Sequence, residues 1–107
     1  SLCSPTYVSE LKDNKIIDYI FNPKDYEYDY IKIEDIIGND AEYNAKKFLE
    51  LLDAPNNSFQ KIIEINSGTA LYISGIVKNL KEGFILARKT INSGKTKKYF
   101  ENLLKNQ

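Results

Sequence analysis

The stretch INSGTALYISG, Ile65 to Gly75, decides how the second half of the chain is read. A Ser-Gly-Thr run beside apolar residues suits two structures: a loop whose free amides cradle a phosphate, or a helix kept thin so that another element can approach. A phosphate loop follows a strand and opens a helix. Here Ser67-Gly68-Thr69-Ala70 lies inside an apolar pattern of helical period that begins near Ser58 and ends at Gly75. Gly68 therefore sits mid-helix, where glycine costs about 1 kcal/mol relative to alanine, and the sequence predicts a close neighbour there.

Working outward, Asn57 followed three places on by Gln60 resembles a capping box, and Gly75 is placed to end the helix in the left-handed conformation. Before it, Ala41, Ala45, Phe48, Leu49 and Leu52 form one apolar helical face, with Asn39 or Asp40 able to cap the first turn and Ala54-Pro55-Asn56-Asn57 breaking the helix. After it, Asn79 and Glu82 repeat the capping-box spacing. Leu80, Phe84, Ala87 and Ile91 then recur at helical intervals until Ser93-Gly94. The last segment, Lys95 to Gln107, puts Tyr99, Phe100, Leu103 and Leu104 on one side of a fourth helix.

The first third has a different grammar. TYVSEL (Thr6 to Leu11) and KIIDYIF (Lys15 to Phe21) are separated by a short polar turn and read as a β-hairpin or two neighbouring strands. Asn22-Pro23 ends the second, since proline cannot donate to a ladder. Residues 24–40 form an acidic, tyrosine-rich connection in which Tyr30 to Ile33 is expected to make a short extended piece. The reading is one domain over residues 1–107, with strands and connection in 1–37 and helices in 38–107.

Composition limits the function. A chain of 107 residues buries roughly two thirds of its unfolded surface, enough for one modest core. Fifteen basic and fifteen acidic residues cancel, which argues against nucleic acid or an anionic membrane as partner. No apolar run reaches membrane-spanning length and the N-terminus has no signal core. The single cysteine, Cys3, allows no internal disulfide and suits a reducing cytoplasm. No histidine occurs, which removes the usual general base and metal ligand. No methionine occurs either, so Ser1 reads as a cut or processed end and the chain as a fragment.

Each chemical motif has a plainer reading that fits better. Ser93-Gly94-Lys95-Thr96 looks like the end of a nucleotide-binding loop, but Lys89 stands where the first glycine is needed and the preceding segment is helical; it reads as a turn between helices. The carboxylate pairs Glu34-Asp35 and Asp40 with Glu42 could hold magnesium, yet Asp40 and Glu42 suit a helix N-terminus. Cys3 lacks a base to activate it. Lys95, Lys97 and Lys98 read as the wet face of the last helix. No catalytic, cofactor-binding or metal-ligating residue is assigned.

The order of these pieces resembles the C-terminal part of the anthranilate phosphoribosyltransferases. Ser1-Leu2, Pro5-Thr6, Val8 and Glu10-Leu11, followed by Asn22-Pro23-Lys24-Asp25, match the family's Ser-Leu-x-x-Pro-Thr segment, hairpin and Asn-Pro-x-Asp-Phe motif, with Tyr26 in place of phenylalanine. Gly38 to Asp53 resembles its Gly-x-x-Ala-Glu-x-Asn-Ala helix start. The stretch from Ile65 onward resembles its closing segment of an Asn-small-small-small-Ala-Leu-Tyr helix, a Leu-x-Glu-Gly helix and a Ser-Gly-Lys turn. Cys3-Ser4 and Gly68-Thr69 are local departures.

The resemblance implies an α/β parent domain of the nucleoside-phosphorylase-like phosphoribosyltransferases, of which this chain is a hairpin or short strands followed by about four helices. It implies transfer of the phosphoribosyl group of phosphoribosyl pyrophosphate to anthranilate, in tryptophan biosynthesis, with magnesium in the parent and none bound to this fragment. It also implies a cytoplasmic parent that dimerises through an N-terminal helical domain. The family's glycine-rich loop, Lys-His-Gly segment, Asn-x-Ser-Ser stretch and Asp-Glu metal pair would all lie upstream of Ser1, so the fragment alone is expected to be inactive. Three alternatives share parts of this pattern: a pyrimidine nucleoside phosphorylase, a non-catalytic family paralogue that binds nucleic acid, and a stand-alone α+β interaction module using Tyr7 to Phe21 as its surface. The balanced charge counts against the paralogue.

Overall fold

A computed structural model describes residues 1–54 and 57–107. An antiparallel hairpin comes first and four helices follow, in two compact units, residues 1–35 and 36–107.

In the first unit, β1 (Thr6–Lys12) pairs with β2 (Lys15–Phe21) in a register that sets Tyr7 opposite Ile20, Ser9 opposite Asp18 and Leu11 opposite Ile16. The turn between them is Asp13-Asn14, both with positive φ (50° and 61°). That geometry matches the right-handed twist of the strands, and short polar residues tolerate it better than branched ones. The sequence had left hairpin and neighbouring strands open, and the structure is a hairpin. After Phe21 the Asn22 side chain accepts from the Lys24 amide (3.2 Å), and Pro23 begins a 3-10 turn, Pro23–Tyr26, with Glu27 in the left-handed region. The Phe21 and Tyr26 rings stack at 5.3 Å.

The extended piece expected at Tyr30 to Ile33 does not form. The Ile31 amide donates one bond to the Leu2 carbonyl (3.2 Å), and the chain then winds into a 3-10 turn at Ile33–Asp35. With a single backbone bond on offer there is no ladder for a strand to join.

In the second unit, α1 (Ala41–Asp53) starts at Asp40, whose carboxylate accepts from the Tyr43 amide at 2.8 Å. Asn39, the other candidate cap, instead accepts from the Asp40 amide and donates its own amide to Asn44 Oδ1. The buried side of α1 also differs from expectation. Leu51, absent from the predicted face, is the residue that α1 buries, whereas Ala41, Ala45 and Leu49 are exposed. The inward ridge follows Phe48 and Leu51, three apart, because Phe48 meets Phe100 edge-on (4.9 Å) and Leu51 faces the same recess as Phe59 and Ile63. The break expected at Ala54-Pro55-Asn56-Asn57 falls partly on residues 55 and 56, outside the described residues.

Next, α2 (Ser58–Ile73) is opened by Asn57, which accepts from the Gln60 amide at 2.9 Å. The reciprocal half of the capping box is absent, because the Gln60 side chain is drawn inward by other partners described below. Ser74 ends α2, and Gly75 follows at φ 80°. The Ile76 amide reaches back to the Leu71 carbonyl and the Gly75 amide to that of Tyr72, which satisfies carbonyls the helix leaves free. Then α3 (Leu80–Asn92) is capped by Asn79, which accepts from the Glu82 amide (2.9 Å), while Glu82 accepts from the Lys78 amide (3.0 Å). Gly94, again at φ 80°, turns the chain into α4 (Lys95–Lys105). Packing of α2 on α3 is the most extensive helix contact, and α4 touches α3 and α1.

Candidate functional site

The buried polar chemistry lies between α2 and α3. Their crossing point is Gly68 against Gly83: a Cβ on Gly68 would stand 2.6 Å from the Gly83 carbonyl carbon and 2.6 Å from the Phe84 nitrogen. A Cβ on Gly83 would collide with the Gly68 carbonyl oxygen. The two backbones touch directly, which is the close approach that the mid-helix glycine predicts.

One turn away from this contact sits a polar cluster that the sequence reading missed. Glu64 is only 2% exposed and receives Arg88 Nε on Oε2 (3.0 Å) and Gln60 Nε2 on Oε1 (2.8 Å). Gln60 Nε2 also donates to Asn92 Oδ1 at 3.0 Å, so two α2 residues are tied to two α3 residues. The Gln60 Oε1 atom is buried without a hydrogen-bond partner. A signal for the cluster was present, since Gln60 and Glu64 are four apart on one face of α2, as are Arg88 and Asn92 on α3. The arrangement fixes the register of the two helices: sliding either by one turn would strand a buried carboxylate.

The motifs weighed in the sequence are not brought together. Ser93-Gly94-Lys95-Thr96 is the α3–α4 turn, with the Ser93 hydroxyl donating to the Thr90 carbonyl (2.8 Å) and accepting from the Lys95 amide (3.3 Å). Glu34 and Asp35 lie in the 3-10 turn of the first unit, and Asp40 is engaged as a helix cap. Cys3 is half-buried, its amide held by Ser1 Oγ. Lys97 pairs with Asp53 at 2.5 Å, while Lys95 and Lys98 are exposed. Hydrogen bonding to Asp53 raises the Lys97 pKa above its ordinary value, and Glu50 does the same for Lys47. Burial, with Asp25 adding to it, pushes the Tyr26 hydroxyl up. Glu50 and Asp53, each paired with a lysine, border one hollow along α1 with Glu42. Among the described residues no three His, Cys, Asp or Glu side chains are gathered to hold a metal ion, and no helix is long and apolar enough to cross a membrane.

A hollow of about 580 Å³ runs along α2, α3 and the start of α4. Ile63, Leu71, Leu86 and Ile91 line it together with four hydroxyl residues, Ser67, Ser74, Thr90 and Thr96, of which Ser74 donates to the Leu71 carbonyl and Thr90 to the Leu86 carbonyl. The lining carries no ionisable side chain.

Comparison with known proteins agrees with the order of elements. Residues 1–97 match the glycosyl transferase family, a/b domain. The anthranilate phosphoribosyltransferase of Thermoanaerobacter sp. (strain X514) is 43% identical over 91 residues, which is 85% of this chain and 27% of that protein. Its counterpart in Caldanaerobacter subterraneus subsp. tengcongensis is 38% identical over 101 residues, 94% of this chain and 30% of that protein. The protein of the same name from Bacillus cereus (strain B4264) is 35% identical over 95 residues, 89% and 28% respectively. The chain thus spans less than a third of the length of the relatives it matches. A hairpin and four helices in this order, matched along residues 1–97, place the chain in the glycosyl transferase family, as part of its a/b domain.

Proposed function

We propose that this chain forms the C-terminal portion of the α/β domain of an anthranilate phosphoribosyltransferase, which moves the phosphoribosyl group of phosphoribosyl pyrophosphate onto the amine of anthranilate and releases pyrophosphate, in tryptophan biosynthesis. The observation that carries the reading is a likeness extending over most of the chain to proteins that bear that name. In this reading the ion and both substrates are held by residues outside 1–107, and no step of the transfer is assigned to this chain's side chains; among the described residues no three ligating side chains are gathered. The chain's contribution is support for the strand-end loop that carries the metal carboxylates. The whole enzyme is, in this reading, cytoplasmic and a dimer through an N-terminal helical domain.

The test is an exchange. Residues 1–97 replace the matched stretch of the Thermoanaerobacter enzyme, and consumption of anthranilate is followed by the loss of its fluorescence with phosphoribosyl pyrophosphate and magnesium present. Turnover by the chimera, with none by the 107-residue chain alone, is the expected result. A folded chimera without turnover, or turnover by the chain alone, overturns the reading.

A further inference from the structure

We propose that one face of the β1–β2 hairpin is the seat of a helix from the remainder of the a/b domain, and that this helix places a lysine or arginine over Asp18. The proposal rests on the reading above in taking its occupant from the same enzyme.

The two faces of the hairpin differ. On one, Val8 and Tyr19 are half-buried and Phe21 is buried. On the other, the cross-strand pairs Tyr7–Ile20 and Leu11–Ile16 stand in solvent, Tyr7 being 88% and Leu11 75% exposed. Four large apolar side chains stand on this face in two facing pairs, one on either side of a polar pair, on a sheet of only two strands, and exposed apolar side chains grouped in this way mark an interaction surface.

Between the two pairs lies Ser9 opposite Asp18, joined by a hydrogen bond from Ser9 Oγ to Asp18 Oδ1 at 2.7 Å. A shallow hollow of about 420 Å³ opens beside Tyr7, Ser9, Asp18 and Ile20. Any body that covers both apolar pairs must also cover this carboxylate. Burying a carboxylate costs several kcal/mol unless a cation or further donors meet it, and the Ser9 hydroxyl supplies one bond only. The occupant therefore carries a basic side chain at the middle of an apolar stripe.

Two observations point to a helix of the same domain. A two-stranded hairpin is marginal by itself and is stabilised by packing against a helix, and the matched relatives are more than three times the length that this chain spans. A second copy of the hairpin fits poorly, since face-to-face pairing about a two-fold axis would bring two Asp18 carboxylates together without a cation.

The experiment is hydroxyl-radical labelling of Tyr7 in the 107-residue chain and in the Thermoanaerobacter chimera, with the same exchange made in the Caldanaerobacter enzyme in case the first does not fold. Labelling of Tyr7 is expected to fall by about tenfold in the chimera, as for a side chain passing from exposed to buried. Asp18→Lys is expected to lower the chimera's Tm and leave that of the isolated chain unchanged. Equal labelling in both proteins, protection in the isolated chain through self-association, or two chimeras that both fail to fold would overturn the docking. Protection of Tyr7 with an Asp18→Lys chimera of unaltered Tm would overturn the basic partner. A protected but inactive chimera would sink the transferase reading and leave this inference standing.

Discussion

The β1–β2 hairpin and the α2–α3 pair solve cohesion in opposite ways. The hairpin is joined through its backbone ladder, and the side chains of one face turn to solvent. The helix pair is joined through everything the hairpin leaves outside: Gly68 and Gly83 bring the backbones together, Phe84 and Ala87 are buried, and Glu64 is neutralised across the interface. The contrast teaches that the helix pair is held across its interface by side chains and close backbones, whereas the hairpin is held by its ladder and leaves one face exposed.

That contrast can be broken or sharpened by substitution. The largest effect is expected at the crossing point. Gly68→Leu forces side-chain atoms into the Gly83 and Phe84 backbone and should cost about 3 kcal/mol, seen as a lowered thermal midpoint by circular dichroism. An unchanged midpoint would mean that the helices are not in contact there. Next, Arg88→Met takes the cation away from the buried Glu64 carboxylate, which keeps its hydrogen bond from Gln60. Because the Arg88 side chain is 40% exposed, the cost in urea unfolding should be about 2 kcal/mol, below the value for a fully buried pair. A smaller loss follows from Asn79→Ala, which frees the Glu82 amide at the start of α3 and should lower stability by about 1 kcal/mol. The smallest is expected on the hairpin: Leu11→Thr removes an apolar group already in water and should change the stability of the isolated chain by less than about 0.5 kcal/mol. A large loss there would show that the exposed face is already covered.

Legibility in the sequence followed the range of the interaction involved. The hairpin, the caps at Asp40, Asn57 and Asn79, and the glycine turns at Gly75 and Gly94 were readable because each depends on residues within a few places of one another. The neighbour of Gly68 was inferable as a close approach, but its identity was not, since Gly83 lies fifteen positions on and nothing local names it. The face of α1 was misread because helical period alone gives two adjacent stripes, and the choice between Leu49 and Leu51 is made by Phe59, Ile63 and Phe100 from other helices. The Glu64 cluster was missed for a related reason: Glu64 takes its cation from Arg88 and Gln60 donates to Asn92, both on the next helix, and nothing local names either partner.

The Gly68–Gly83 contact has a genetic consequence. Where two bulky side chains meet, enlarging one can be suppressed by trimming the other. Here both positions already hold the smallest residue, so no second-site change in volume at the partner can restore either one. Suppressors of Gly68 variants would have to arise by shifting a helix, and shifting a helix would pull Arg88 away from Glu64.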